Sequence, residues 1–489
     1  MSRLRHPALW VGLILWASYA FYWQGRDWNS ASRLMLTYAV VDRGTVSLDG
    51  LDDQTHDIAR YRGHWYTDKT PGFSVAAIPP YYLAKVALGL PSHPLGERGF
   101  PFWPADYWAT LGTSGLGTAA TATLLVAVAL RLGCTPRSAA LLGLAYGLAT
   151  PAAVYATLAY GHQLAALGLF GSFAALVEPG RRPRLRACAA GFGAAYASVV
   201  EIQAGPASAV LGLGMIALVV ARRRPGACLA TFALGAAVPT LLLLAYNQLA
   251  FGAPWRMGYF YLVVEQFKEV HSASNPLGLG PVSLERVGDL LWGEFRGLPW
   301  FAPVVVLTPL GLALLVARRR WALAGLIGAL LAAIFAVNLS YPEWTGGWTT
   351  GPRLLVPLLP FACVAVAPLL ATRSRLAVAL VAVLALAGGV EMFLYCGVGG
   401  RIPNFIARPF VDGVWPFWRG DPLPVWAYGR RFARTLADRW LADRGPTRPT
   451  ASGLLTFAPL VAFQVVAIAT LFRCLPAAPA RPADQAGAT

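Results

Sequence analysis

Apolar runs of about 20 residues recur along this chain, each long enough for a helix to cross the hydrocarbon core of a bilayer. They fall at 8–24, 107–131, 138–157, 162–178, 186–203, 205–221, 227–247, 298–317, 321–340, 354–371, 376–396 and 452–472. That makes about twelve crossings. The chain of 489 residues is 56% hydrophobic and only 13% charged, with a net charge of +17. This is the balance of a polytopic membrane protein rather than of soluble domains. In a soluble chain so basic a balance would point to nucleic acid. Here the arginines cluster in short turns, where they fix orientation, and no nucleic-acid partner is expected. The six cysteines are scattered and form no CxxC, so neither a disulfide framework nor a zinc site is implied, and no metal or cofactor is expected. The first run follows a basic flank, and no small-residue cleavage site follows it, so it reads as an uncleaved first transmembrane helix.

The basic turns set the topology. They are Arg3 and Arg5; Arg131 and Arg137; Arg181, Arg182, Arg184 and Arg186; Arg222 to Arg224; Arg318 to Arg320; Arg373 and Arg375; and Arg473. If all are cytoplasmic, every crossing alternates correctly and both termini lie inside. Residues 73–90 break the alternation if counted as a span. Pro79 and Pro80 interrupt a helix there, and Lys85 adds a charge. The segment therefore reads as a helix in the outer interface, its charges reaching the headgroups; the alternative is a kinked full crossing. The outer face then carries loops 25–106, 248–297, 341–353 and 397–451, and any chemistry is expected there.

Candidate site residues follow from charges close to hydrocarbon, which are costly unless paired or used. Asp27 stands just after the first run. It is followed by a candidate interfacial helix over 30–42, with Leu34, Tyr38 and Val41 on one face and Ser30 as its cap. An acid walled in this way suits a general base, though it can simply pair with Arg26 or Arg33. In "GHWYTDKTPGFS" (63–74), Tyr66 precedes Asp68 and Lys69, which sit on a Pro-Gly turn. An ammonium there can neutralise a phosphate, or only snorkel to headgroups. His162 opens a helix and reads as a neutral hydrogen-bonding group or a buried, satisfied histidine. Glu201, near an outer helix end, is a functional candidate or a partner for a neighbouring helix. Arg296 precedes an apolar helix. "YPEWTGGWTTGPR" (341–353) joins Glu343, Trp344, Trp348 and Arg353 at a helix start. That pattern fits a sugar-stacking face beside a phosphate, or an ordinary aromatic belt.

With those residues in view, the chain resembles the GT-C membrane glycosyltransferases that use polyprenyl-phosphate sugars. Named members are the aminoarabinose lipid A transferases and the protein O-mannosyltransferases, and the chain resembles more closely a broad bacterial branch of that superfamily. The resemblance rests on GHWYTDKTPG, Tyr246-Asn247, RGLPWFAP and WTGGWTTGPRLLVPLLP, and spans about residues 8–370. It implies an all-α polytopic fold with interfacial helices in the large first outer loop. Residues 1–396 would form the catalytic membrane module including loop 25–106, 397–451 an outer loop touching the acceptor, and 452–489 a last crossing and cytoplasmic tail. It also implies roles. Asp27 is the catalytic acid and Lys69 the contact to the donor phosphate, joined by Arg353 and Arg296. Asp68, Tyr66, His162, Glu201, Glu343, Trp344 and Trp348 would line the substrate. Many relatives carry a second acid between the third and fourth helices, where this chain reads Gly161-His162.

The implied protein lies in a bacterial inner membrane with its active site outside. It moves a sugar, with inversion, from a polyprenyl-phosphate donor to a hydroxyl of a glycan, lipid or protein acceptor, among membrane lipids. Three other readings stand beside it: a transporter or flippase of lipid-linked substrates, a non-catalytic assembly partner, and a ligase or polymerase acting on pyrophosphate lipids.

Overall fold

The computed structural model describes residues 7–93, 103–177, 182–419 and 457–476. The turn residues Arg3, Arg5 and Arg181, most of loop 397–451 and the tail after 476 lie outside the described residues. Every segment expected to cross holds a helix. Among the described residues, six helices are long and apolar enough to cross a membrane by themselves: Pro104–Arg131, Ile202–Val220, Ala227–Phe251, Trp321–Ser340, Arg353–Leu370 and Arg375–Val398. Shorter apolar helices cover Pro7–Tyr19, His162–Val177, Pro303–Ala317 and Ala458–Cys474. The chain is a polytopic helical membrane protein.

Small residues let the helices approach closely, as they do where lipid gives no hydrophobic drive to pack. Pro183–Val200 crosses Ala227–Phe251 on Gly191 and Gly235. A Cβ at either would run into backbone of the other helix, at Phe232 and Cys188 respectively. The basic turns gather at one end of the bundle. Arg137 Nε donates to the Leu475 carbonyl at 3.1 Å, Arg224 to Leu176 at 3.3 Å, and Cys134 Sγ to Ala367 at 3.2 Å. The candidate site residues lie at the other ends of these helices.

Between the first helix and Pro104–Arg131 the chain builds a small layer over the helix ends. Its first element is Trp28–Arg43, which starts earlier than the sequence pattern places it. Asp27, not Ser30, is the cap, because its carboxylate accepts the Ser30 backbone N–H while Ser30 Oγ accepts the Asp27 N–H in return. A hairpin then pairs β1 (Ile58–Tyr61) with β2 (His64–Thr67), an element absent from the all-α expectation. Its two-residue turn is Arg62-Gly63, both at positive φ (50° and 88°), the geometry that suits strand twist.

Gly72–Ala87 follows as one helix that continues through Pro79 and Pro80 rather than ending there. Gly112 leaves room for the Pro80 ring, since a Cβ at 112 would lie 2.6 Å from it. The expected headgroup role of Lys85 is also corrected. Its ammonium pairs with Asp42, which further accepts from Tyr81 at 3.0 Å and the His93 N–H at 3.0 Å, so a local carboxylate takes the charge inward. The opposite face exposes Tyr82, Leu83 and Val86, an apolar stripe of the kind that lies in a membrane interface.

The close helix crossing gives a direct check. Gly235→Val should destabilise the fold by about 1–3 kcal/mol, the usual effect of overpacking. Gly325→Ala, which meets open space, should be neutral. Thermal unfolding in detergent micelles reads both.

Candidate functional site

The break after Pro136–Leu148 shapes the site. Pro151 ends the regular helix, a single turn covers Ala152–Tyr155, and the chain then runs irregularly to His162. Tyr155, Tyr160 and His162 are thereby delivered side by side, with ring centroids 5.7–5.9 Å apart. Helix ends and the loops that join them close around these residues.

Asp27 is held on every side. Oδ1 accepts from the Ser30 N–H at 2.9 Å and from Ser30 Oγ at 2.6 Å. Oδ2 faces Arg401 Nε at 3.0 Å and accepts from the Tyr160 hydroxyl. Burial alone would raise its pKa. The Arg401 charge and the bonds from Ser30 and Tyr160 outweigh that and hold it at about 2. Arg401 also donates to the Gln24 carbonyl at 2.7 Å and to Gly25 at 2.9 Å, so it clamps the end of the first helix as well as its acid.

Lys69 lies between two carboxylates, Asp68 at 2.7 Å and Asp57 at 3.0 Å. Burial disfavours its charge, but Asp57 and Asp68 outweigh burial and raise the ammonium pKa. Asp68 also accepts from Ser32 at 3.1 Å, and burial pushes its carboxyl up, as expected where two acids share one lysine. Glu201 pairs with Arg33 at 2.6 Å and stands 3.7 Å from His162 Nδ1.

Arg353 is the exception among these cations. Its side chain passes beside Gly346, and its guanidinium lies 5.4 Å from the Tyr160 ring centroid. That guanidinium has no ion pair and no hydrogen bond among the described residues, and its Nε is sealed from solvent with no partner. The loop that carries it turns through Gly346 and Gly347, at φ 73° and 72°, where a side chain would be strained.

The structure gives Arg296 a task different from the phosphate contact expected of it. It is fully buried and donates to the carbonyls of Thr345, Phe295 and Gly347, each at 3.0 Å. It braces the Gly-Gly loop. Trp344 packs partly buried against the core. Trp348 meets Phe405 edge-on at 6.1 Å. Glu343 has no ionic partner among the described residues. Tyr66 packs on Phe251, with centroids 5.3 Å apart.

Asp27, Lys69 with Asp68, His162, Glu201 and Arg353 are thus brought to one end of the bundle. Arg353 acts electrostatically on Asp27, Asp57, His162 and Glu201. Sequence reading missed Asp57, Tyr160 and Arg401. It named Arg33 only as a possible partner of Asp27. Asp57 stands where an acid beside β1 faces the Lys69 turn, and the two-residue hairpin signal at Arg62-Gly63 would have brought them together. Nothing local announces Arg401, which lies 374 residues from Asp27 in the chain.

No family model matches the chain, and no curated protein matches it either. Two solved structures of ArnT from Cupriavidus metallidurans are similar in shape. The one bound to undecaprenyl phosphate has a TM-score of 0.47 at 16% identity, with 94% of this chain and 76% of that chain covered. The apo structure has a TM-score of 0.45 at 16% identity, with 95% and 75% covered. Likeness at this distance assigns neither activity nor substrate.

The Asp27 cluster predicts a pH signature. A carboxyl lowered from 3.8 to about 2 on folding contributes about 2 kcal/mol. That stability is fully present above about pH 4 and is lost as the pH falls toward 2. Denaturant unfolding of wild type should weaken across this window, and Asp27→Asn should flatten that part of the dependence.

Proposed function

We propose that the protein is a membrane glycosyltransferase that moves a sugar from a polyprenyl-phosphate donor to an acceptor hydroxyl. The carrying observation is the half-buried Arg353 guanidinium, unpaired among the described residues and set beside a carboxylate cluster at one end of the bundle. A buried cation without a partner is costly, and a phosphate is a natural partner for a guanidinium. The motifs of the first outer loop and of the Gly-Gly loop support the same reading.

In this reading the donor phosphate docks on Arg353. Lys69 keeps one N–H free after its two carboxylates and turns it toward the same anion. Arg296 acts indirectly by holding the loop that carries Arg353. The acceptor hydroxyl replaces Tyr160 on Asp27 Oδ2. Its oxygen bonds to the anomeric carbon as the bond from that carbon to the phosphate oxygen breaks, and the electron pair leaves on the lipid phosphate. A carboxylate with a pKa of about 2 is a poor base toward a resting alcohol. It orients the hydroxyl and takes the proton late, once the new bond has made it acidic. The preorganised cations stabilise the leaving phosphate.

The test is transfer by purified protein from a panel of polyprenyl-phosphate sugars. Turnover of one donor should fall about 100-fold or more in Asp27→Asn, and donor binding should be lost in Arg353→Ala. Tyr160→Phe keeps the ring under Arg353 and frees Oδ2, so it should stay within about ten-fold of wild type. Full activity in Asp27→Asn would remove the acid from the mechanism, and no binding of any donor would remove the function.

A further inference from the structure

The loop after Ala227–Phe251 brings a tyrosine to the same cluster. Gly258 packs directly on β2, where a Cβ would touch the Thr67 carbonyl and Asp68. Ala59 bridges to Leu262, and the Val263 N–H bonds the Ile58 carbonyl at 3.3 Å, so the 258–263 segment is fastened along the hairpin. Tyr259 is therefore held against the Asp68-Lys69 turn. It is 8% exposed, yet its hydroxyl makes no hydrogen bond to the described residues and is not sealed from solvent. A phenol this buried usually finds a partner.

Its ring is fixed from behind. His271 stacks on it with centroids 4.5 Å apart and planes 19° apart. His271 Nδ1 lies 3.1 Å from the Pro276 carbonyl and Nε2 lies 3.2 Å from the Tyr341 hydroxyl. A carbonyl only accepts, so Nδ1 carries the hydrogen. In the neutral ring Nε2 then accepts from Tyr341. Burial, the largest influence, lowers the imidazole pKa and keeps it in that neutral form. Tyr341 opens the loop that leads to Arg353, so one stack links the loop carrying Tyr259 to the loop carrying the open cation.

We propose that Tyr259 is a further ligand-binding group, donating its hydroxyl to the phosphate held by Arg353 and Lys69, and that His271 is its positioning residue. The proposal rests on the phosphate reading above. The fastened backbone, the stacked ring and the open hydroxyl support it. So does the electrostatic influence of Lys69 on the phenol. A neutral donor suits this position. Asp57 and Asp68 already balance Lys69 with one negative charge in excess, and a phenol adds a hydrogen bond without adding a further carboxylate.

The experiment titrates decaprenyl phosphate into the detergent-solubilised full chain, with inorganic phosphate titrated separately. Tyr259→Phe removes one oxygen, should leave the unfolding temperature unchanged, and should weaken binding about ten-fold. His271→Ala should weaken it comparably, and adding it to Tyr259→Phe should cost little more, because it acts through the same hydroxyl. Equal dependence on Tyr259 for both ligands supports the site with phosphate alone as its determinant. Dependence seen only with the lipid supports it with the lipid head as the ligand. Wild-type affinity in Tyr259→Phe overturns the proposal. If Arg353→Ala then still loses binding, the phosphate reading survives that failure. A full His271→Ala loss on top of Tyr259→Phe overturns the positioning role. If wild type binds neither probe, both readings fall together.

Discussion

Removing a charge from water inside a helical bundle costs several kcal/mol per ion, and one lost partner leaves that cost uncompensated. The end of this bundle is organised around that constraint. Asp27 meets Arg401, Glu201 meets Arg33, and Asp57 and Asp68 share Lys69. Asp27-Arg401 and Glu201-Arg33 tie segments distant in the chain, so these two pairs staple the layer that follows the first helix onto the helix ends while neutralising themselves. Where pairing is the rule, a cation without a partner is informative. Among the described residues of this cluster Arg353 is such a cation, and it lies beside Asp27 and Tyr160.

A second buried network supports the first from behind. Arg26 faces Asp106 at 3.4 Å and donates to the Tyr38 hydroxyl at 3.2 Å and to Gln54 at 3.4 Å. Tyr38 in turn donates to Asp106 and stacks on His93 with centroids 4.2 Å apart. Arg26 and Asp27 are neighbours, so their side chains are held in two separate networks and the peptide between them is fixed. This is the preorganisation that a charged site needs, because a misplaced acid or cation loses much of its electrostatic value.

The membrane architecture was legible because it depends on local composition. A 20-residue apolar run and the arginines that bound it are read from adjacent residues, and the helices formed where the runs lay. Departures occurred where tertiary packing overrides local preference. Pro79 and Pro80 sit inside a continuous helix because Gly112 receives the ring, and Lys85 turns inward because Asp42 lies within reach. The site was legible only in part for the same reason. Asp27, Lys69 and Arg353 stand out as charges beside hydrocarbon, but a charge at an outer helix end does not reveal its partner. Arg296 and Arg353 look alike in sequence, each just ahead of an apolar helix. Backbone carbonyls that only the folded loop presents make one a brace and leave the other open.

The same packing logic bears on Gly161. Position 161 carries no side chain. The Glu201 carboxylate occupies the space, so that a Cβ at 161 would collide with it. That carboxylate belongs to the residue that ends Pro183–Val200. It arrives bound to Arg33, on the helix that Asp27 caps. Any side chain at 161 would displace Glu201, cost Arg33 its carboxylate partner and disturb the helix that begins at Asp27. The absence of a side chain at 161 is thus a packing requirement of the Arg33-Glu201 pair, and through that helix it bears on how Asp27 is held.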